Sequence, residues 1–188
     1  MQQQEEATSE AKEYLTITLD NEQFALDINR VSEVLDLTQI TRVPRMPDFV
    51  LGVINLRSNV VPVIDLRQKL GMESGERTKE SCIVIVELEI EGEATKMGAL
   101  TDSIDDVMGI NPEQIAPPPR MGTNLRPEFI EGMVRLHEGE KFLIILDIEM
   151  ILSSEELAVV KKAGEEQEGS EGYYQSGSRE GEVTAEVQ

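Results

Sequence analysis

The sequence predicts a mainly β protein: two tandem, small five-stranded barrels packed side by side, a short helix after each, and acidic disordered ends. Three observations predict it. The stretch from Phe49 to Leu66, FVLGVINLRSNVVPVIDL, is apolar and β-branched and is broken once, by the polar turn Asn55-Leu56-Arg57-Ser58-Asn59. It is echoed between Phe129 and Ile148, where Gly132-Met133-Val134 matches Gly52-Val53-Ile54 and Ile145-Leu146-Asp147-Ile148 matches Val63-Ile64-Asp65-Leu66. Each copy carries about five short strand signals with turns at close intervals, the density of a small closed barrel.

The elements follow in order. Leu15, Ile17 and Leu19 alternate with Thr16 and Thr18, the period of a half-buried strand. Asp20-Asn21-Glu22 is a turn signal and Phe24 to Ile28 returns, giving a hairpin. Val31 to Leu35 is the next strand. Pro44 and Pro47 flank a loop, because proline disfavours helix before it and removes a ladder donor. Asp48 is expected to cap one helical turn at Phe49-Val50-Leu51. Val53–Leu56 and Val60–Ile64 are two strands, with Pro62 implying an edge or bulge. Asp65 to Leu70 has helical spacing and stops at Gly71.

The second copy opens with Cys82, Val84, Val86, Leu88 and Ile90 on one face, turns at Glu91-Gly92, and returns over Thr95 to Thr101. Val107-Met108-Gly109 leads into a Pro-rich loop. Glu138-Gly139-Glu140 is a hairpin tip before Phe142 to Leu146. Asp147 to Leu152 is expected to open a last helix reaching about Val160. Phe24 matches Met97 and Val34 matches Val107 at an offset of 73; the offset is 80 from Gly52 to Gly132 and 82 from Asp65 to Asp147. It changes only across expected loops, where insertions are tolerated. The division that results is 1–13 disordered, 14–80 first barrel, 81–160 second barrel with a C-terminal helix, and 161–188 a disordered acidic tail.

Composition narrows the function. The chain has 188 residues and a net charge of -20. Strong acidity argues against nucleic acid, whose phosphates need a Lys/Arg stripe, and against anionic lipid. No apolar run approaches the ~20 residues needed to span a bilayer, and the N-terminus lacks a secretory pattern. A single cysteine, Cys82, excludes an intrachain disulfide, suits a reducing cytoplasm, and sits in an apolar run as a small buried hydrophobe.

No catalytic constellation emerges, and no cofactor or metal is expected. One histidine, His137, beside a hairpin tip has neither nucleophile nor orienting partner. No phosphate-binding glycine loop occurs. Asp102, Asp105 and Asp106 lack the glycine and distant glutamate of a calcium loop. Ile104 and Val107 read as inward residues, which leaves those carboxylates on a solvated face. Asp65 and Asp147 stand at strand ends before helices and read as caps. Arg57 is different: it offers five fixed donors from the tip of an apolar hairpin.

The run Gly52-Val53-Ile54-Asn55-Leu56-Arg57, followed by Val61-Pro62-Val63-Ile64-Asp65-Leu66-Arg67, resembles the CheW-type chemotaxis coupling proteins. Supporting pieces are Ile28-Asn29-Arg30-Val31-Ser32-Glu33-Val34 and Asn111-Pro112-Glu113-Gln114-Ile115, and the resemblance spans about Tyr14 to Leu152. It implies two SH3-like barrels and a cytoplasmic, non-enzymatic adaptor that bridges the chemoreceptor tip to the regulatory domain of the histidine kinase CheA. Val31, Glu33 and Arg57 match family receptor-contact positions, with the receptor docked in the groove between barrels. Kinase contacts would fall on barrel faces and on the loop after Ile115, including Met121. Ser58 stands where the family usually has glycine; if φ is positive there, a turn shifted toward Asn59 relieves the strain. The other readings are the same scaffold in pilus motility or another kinase array, and a metal-dependent hydrolase using Asp102, Asp105 and Asp106.

Overall fold

The computed structural model describes residues 10–118 and 124–174. Ten strands form: β1 Lys12–Leu19, β2 Glu22–Asp27, β3 Val31–Asp36, β4 Val50–Leu56, β5 Asn59–Asp65, β6 Cys82–Ile90, β7 Glu93–Thr101, β8 Ser103–Ile110, β9 Ile130–Leu136 and β10 Lys141–Leu146. Helix α1 is Leu66–Lys69 and α2 is Ser154–Tyr174. The strands make two five-stranded sheets, β8-β1-β2-β10-β9 and β3-β6-β7-β5-β4. Each sheet closes through one bridge beyond its edge strand. Ala116, after β8, exchanges two 2.9 Å hydrogen bonds with Met133 of β9, and Thr41, after β3, pairs in the same way with Val53 of β4.

The mainly β fold with two five-stranded units is as expected, and the duplication is visible strand for strand. The expected division into 14–80 and 81–160 gives way to an interleaved one. Hairpin β1–β2 joins β8, β9 and β10 of the second copy, while β6–β7 joins β3, β4 and β5 of the first. The exchanged contacts obey the internal repeat. Val63 pairs in parallel with Gly98, and Ile145 pairs in parallel with Ala25. Neither half closes a sheet alone, so the barrels are not tandem in the chain.

Alternation explains the apolar runs. One face of each strand fills its own barrel: Tyr14, Ala25, Val134, Leu143 and Ile145 in the first, and Ile54, Val61, Val63, Ile83 and Ile85 in the second. The opposite faces meet in one larger core shared by both sheets, including Leu15, Phe24, Ile64, Val84, Met97 and Leu146. Strands buried on both sides read as near-continuous hydrophobic sequence. At the junction of the barrels, Lys69 Nζ lies 4.8 Å from the ring centre of Phe49 and 5.8 Å from that of Phe129, two residues related by the repeat. Its charge is met by Glu156 at 2.6 Å.

Several local expectations change. Phe49-Val50-Leu51 is not a helical turn; Val50 already starts β4, and Asp65 N–H donates to the Phe49 carbonyl at 2.7 Å. Lys12 and Glu13 belong to β1 and are not disordered, because β8 gives them partners at Ile110 and Gly109. The last helix starts at Ser154 rather than at Asp147 and runs past Val160 to Tyr174, into the segment expected to be disordered. Residues 1–9 and 175–188 lie outside the described residues. Pro62 sits in an interior strand, but the parallel pairing with β7 begins only at Val63, so no β7 partner faces it. No described helix is long and apolar enough to cross a membrane.

Candidate partner-binding site

The β4–β5 hairpin turns on two residues, Arg57 and Ser58, with Leu56 paired to Asn59. Both turn residues have positive φ, +48° and +70°. That is the arrangement whose twist suits a two-residue hairpin. The turn is therefore not shifted toward Asn59. It is supported from within the hairpin: Ser58 N–H donates to Asn55 Oδ1 at 3.1 Å. A serine in left-handed backbone costs about 1 kcal/mol relative to glycine. Ser58→Gly is accordingly expected to raise the unfolding free energy by about 0.5–1 kcal/mol, read as a higher urea midpoint with an unchanged slope.

Arg57 projects from this tip with 77% of its side chain exposed and meets Glu33 of β3, Nη2 to Oε2 at 3.0 Å. β3 and β4 are opposite edges of the second sheet, so the ion pair straddles the seam where that barrel closes. The sequence gives no sign that these two candidates touch, since they lie far apart in the chain and at opposite edges of the sheet. Val31 opens β3, pairs with Val86 and packs half-buried against the shared core. A bulge at Ser32 separates it from Glu33, which pairs with Ile85. The three receptor-contact candidates thus lie on one barrel, two of them joined by a salt bridge and the third two residues along the strand. Met121 lies outside the described residues.

The acidic run is dispersed. Asp102 Oδ2 accepts from Arg67 Nη1 at 3.0 Å and from Asp20 N–H at 2.8 Å. Asp105 Oδ2 accepts from the Thr18 hydroxyl at 2.8 Å. Asp106 Oδ1 accepts from Val107 N–H at 2.8 Å. Among the described residues, no group of three or more His, Cys, Asp or Glu is placed to hold a metal ion. Val107, expected to point inward, is 46% exposed, as is its repeat partner Val34 at 42%; both lie on edge strands whose outer faces carry no further strand. Asp65 Oδ1 accepts from Gln68 N–H at 3.3 Å and caps α1 as expected, whereas Asp147 Oδ1 accepts from Glu149 N–H at 3.2 Å within a turn and caps no helix, since α2 begins only at Ser154. Cys82 is half-buried rather than buried; burial, followed by the charge of Asp36, pushes its thiol pKa up, away from reactive thiolate. His137 is exposed at its hairpin tip.

The residue that sequence reading passed over is Arg67. It is mostly buried and links Asp20 to Asp102. The advance signals were its place at the end of the run Val61 to Arg67 singled out above and directly after the Val63-Ile64-Asp65-Leu66 repeat, where the second copy has Glu149.

Known proteins are similar to this chain in sequence and fold. The profile of the CheW-like domain matches residues 13–156. A chemotaxis protein CheW of Klebsiella aerogenes is 40% identical over 149 residues, covering 79% of this chain and 86% of that protein. A chemotaxis protein CheW of Treponema pallidum is 31% identical over 148 residues, covering 76% and 83%. Among solved structures, the scaffolding protein TtCheW of Thermoanaerobacter tengcongensis superposes with a TM-score of 0.68 at 34% identity, over 76% of this chain and 88% of that one.

Proposed function

The chain belongs to the CheW-like domain family, and from that premise we infer that it is a non-enzymatic adaptor of chemotaxis signalling that joins the cytoplasmic tip of chemoreceptors to the regulatory domain of the histidine kinase CheA. The observation that carries this reading is the Arg57 hairpin. It is a rigid two-residue turn on a closed barrel, and it holds a guanidinium in solvent beside Glu33. Val31 lies two residues before Glu33 on β3, half-buried against the shared core. A small apolar patch with one oriented arginine is the usual anatomy of an energetic centre in an interface. Val34 and Val107 offer two repeat-related apolar contacts on edge strands, a pattern suited to a kinase domain that is itself a pair of barrels. The loop after Ile115, with Met121, belongs to the same proposed kinase contact. The adaptor works in the cytoplasm, where both partners present these surfaces.

The reading is tested by co-sedimentation of the purified chain with a receptor cytoplasmic fragment and CheA. Saturable recovery at tens of micromolar or below is expected; absence of recovery overturns it. Arg57→Ala is expected to weaken receptor binding about tenfold, typical of an interface arginine. The melting temperature should stay nearly constant, because an exposed ion pair contributes about 0–1 kcal/mol. A fall in melting temperature with unchanged binding would make Arg57 a brace for the barrel seam instead.

A further inference from the structure

The chain has a net charge of -20, yet one face of the second barrel gathers three arginines. Arg42 follows Thr41, whose bridge to Val53 closes that barrel. Arg45 stands three residues further on, and Arg77 comes from the loop after α1. All three are exposed, and among the described residues none of them forms an ion pair. Two open clefts, of about 520 and 410 Å³, share Arg42, Asp48 and Val50. Arg77, Ile40 and Leu51 line the first, and Arg45 lines the second. Asp48 is the one carboxylate among the described residues that line either cleft, so positive charge prevails along both. Arg45 is held there against its backbone preference. Pro44 and Arg45 form a turn in which Arg45 has φ +63°, the left-handed region that favours Gly or Asn. A strained, exposed arginine that makes no ion pair leaves its charge free for a group outside the described residues.

The complement is written near the other end of the chain. From Glu180 to Val187 the sequence reads EGEVTAEV. In extended chain, alternate side chains face opposite ways. Glu180, Glu182, Thr184 and Glu186 then share one edge, and Gly181, Val183, Ala185 and Val187 share the other. This segment lies beyond residues 13–156, which the family profile matches, so the shared fold assigns it no task. Its reach follows from α2, which runs antiparallel to β5. Glu156 meets Lys69 past the end of β5, and Gly164 lies against Val60 near its start. Ten more residues carry the helix to Tyr174, about 15 Å further on. Val50, shared by the two clefts, pairs with Ile64, four residues along β5 from Val60, or about 13 Å. Measured along β5, the tail therefore starts roughly 28 Å from the clefts. About eight extended residues cover that distance, which brings the chain from Glu182 onward to the arginines.

We propose that the acidic tail of the same molecule docks here in extended form, with Glu182 and Glu186 toward Arg42, Arg45 and Arg77 and with Val183, Ala185 and Val187 toward the apolar lining at Ile40, Val50 and Leu51. Nucleic acid and anionic lipid are not the occupants. An extended polyanion meets the negative charge of the rest of the surface, and the apolar lining calls for aliphatic side chains. The tail of a second copy is at a disadvantage too. Two chains of net charge -20 repel, whereas a tethered tail stands at an effective concentration in the millimolar range. Val50 opens β4 and Arg57 lies at the far tip of the same hairpin, so this surface is separate from the Arg57 contact and does not rest on the adaptor reading.

The test compares amide NMR spectra of the full chain with those of the full-length double variant Glu182→Gln/Glu186→Gln at low salt. Shift changes are expected to concentrate at residues 40–51 and 68–77. Raising NaCl to about 1 M should produce the same changes in the parent, because screening releases an exposed charge contact, and should leave the variant nearly unmoved. A second readout keeps the tail sequence intact: tryptic cleavage after Arg179. Arg45→Gly suits its backbone and should melt no lower than the parent, yet it should speed that cleavage several-fold, while Arg57→Ala leaves the rate unchanged. Shift changes that miss the two clefts overturn the proposal, and so does an unaltered cleavage rate in Arg45→Gly. Sedimentation velocity showing a dimer that dissolves in the Glu182→Gln/Glu186→Gln variant would make the tail of a second copy the occupant and overturn it as well.

Discussion

Gly52→Ala is expected to destabilise the chain by about 3 kcal/mol or more, placing it in the tail of single substitutions. Two effects act together. Gly52 has φ +143°, a conformation essentially closed to a residue with a side chain. An added Cβ would also meet the Thr41 carbonyl oxygen at 2.0 Å and the Thr41 carbonyl carbon at 2.7 Å. These are backbone atoms of the bridge that closes the second barrel, so they cannot swing aside as a side chain would. Relief requires parting Thr41 from Val53 and losing both hydrogen bonds between them. The repeat supplies its own control. At Gly132 the added Cβ meets first the Ile115 side chain, at 2.3 Å, and the Ala116 carbonyl oxygen only at 3.1 Å, and its φ is not positive. Gly132→Ala is expected to cost about 1–2 kcal/mol, since a side chain can repack. Gly71 has φ +80° and open space, so Gly71→Ala measures conformation alone, about 1 kcal/mol. Urea denaturation of the three variants, followed by circular dichroism, gives the order 52, 132, 71. Equal losses at 52 and 71 would mean that the closing bridge contributes nothing.

These glycines also mark what could be read from the chain before its fold was known. The repeat Gly52-Val53-Ile54 and Gly132-Met133-Val134 was legible because a buried strand needs β-branched residues and a close crossing needs glycine, and both leave a mark at fixed spacing. Two five-stranded units, the cap at Asp65 and the exposed Arg57 followed from the same local signals; Asp147, at the matching place, holds a turn and not a helix. The exchange of hairpins between barrels did not. A period-2 pattern states that Phe24 has a buried face; it does not state whether that face lies beside β5 or β10. Gly98 and Ala25 occupy matching positions, so β2 and β7 satisfy either register equally well in sequence terms. The Arg57–Glu33 pair was illegible for a related reason. It exists only because opposite sheet edges meet when the barrel closes. The length of α2 was hidden by composition: the segment after Val160 is rich in Glu, Gln, Gly and Ser, whereas in the fold Val160 and Ala163 are buried and anchor the helix.

The interleaving makes one arginine more important than its surroundings suggest. Arg67 leaves α1 with 13% of its side chain exposed; Nη2 lies 3.1 Å from Asp20 Oδ1 and Nη1 lies 3.0 Å from Asp102 Oδ2. α1 follows β5 of the second sheet, Asp20 sits in the β1–β2 turn of the first, and Asp102 stands where the chain passes from β7 to β8. One guanidinium thus joins the end of one barrel, the turn of the other and the crossing between them. The loop carrying Gly75 packs over it so closely that a Cβ there would collide with Nη1. Arg67→Met keeps the aliphatic stem and removes the charge, leaving Asp102 without its cation. The expected loss is about 2–3 kcal/mol, below the 3–5 typical of a fully buried pair because both aspartates retain access to water. Arg67→Lys should recover less than half of it, since a single ammonium cannot reproduce a fork directed at two carboxylates. The decisive measurement is the cycle with Asp102→Asn. If Arg67 acts by neutralising Asp102 at the crossing, the double variant is less destabilised than the two single losses added together, by about 1 kcal/mol or more. Strict additivity would reduce Arg67 to a packing residue and leave the alignment of the two barrels to their shared apolar core.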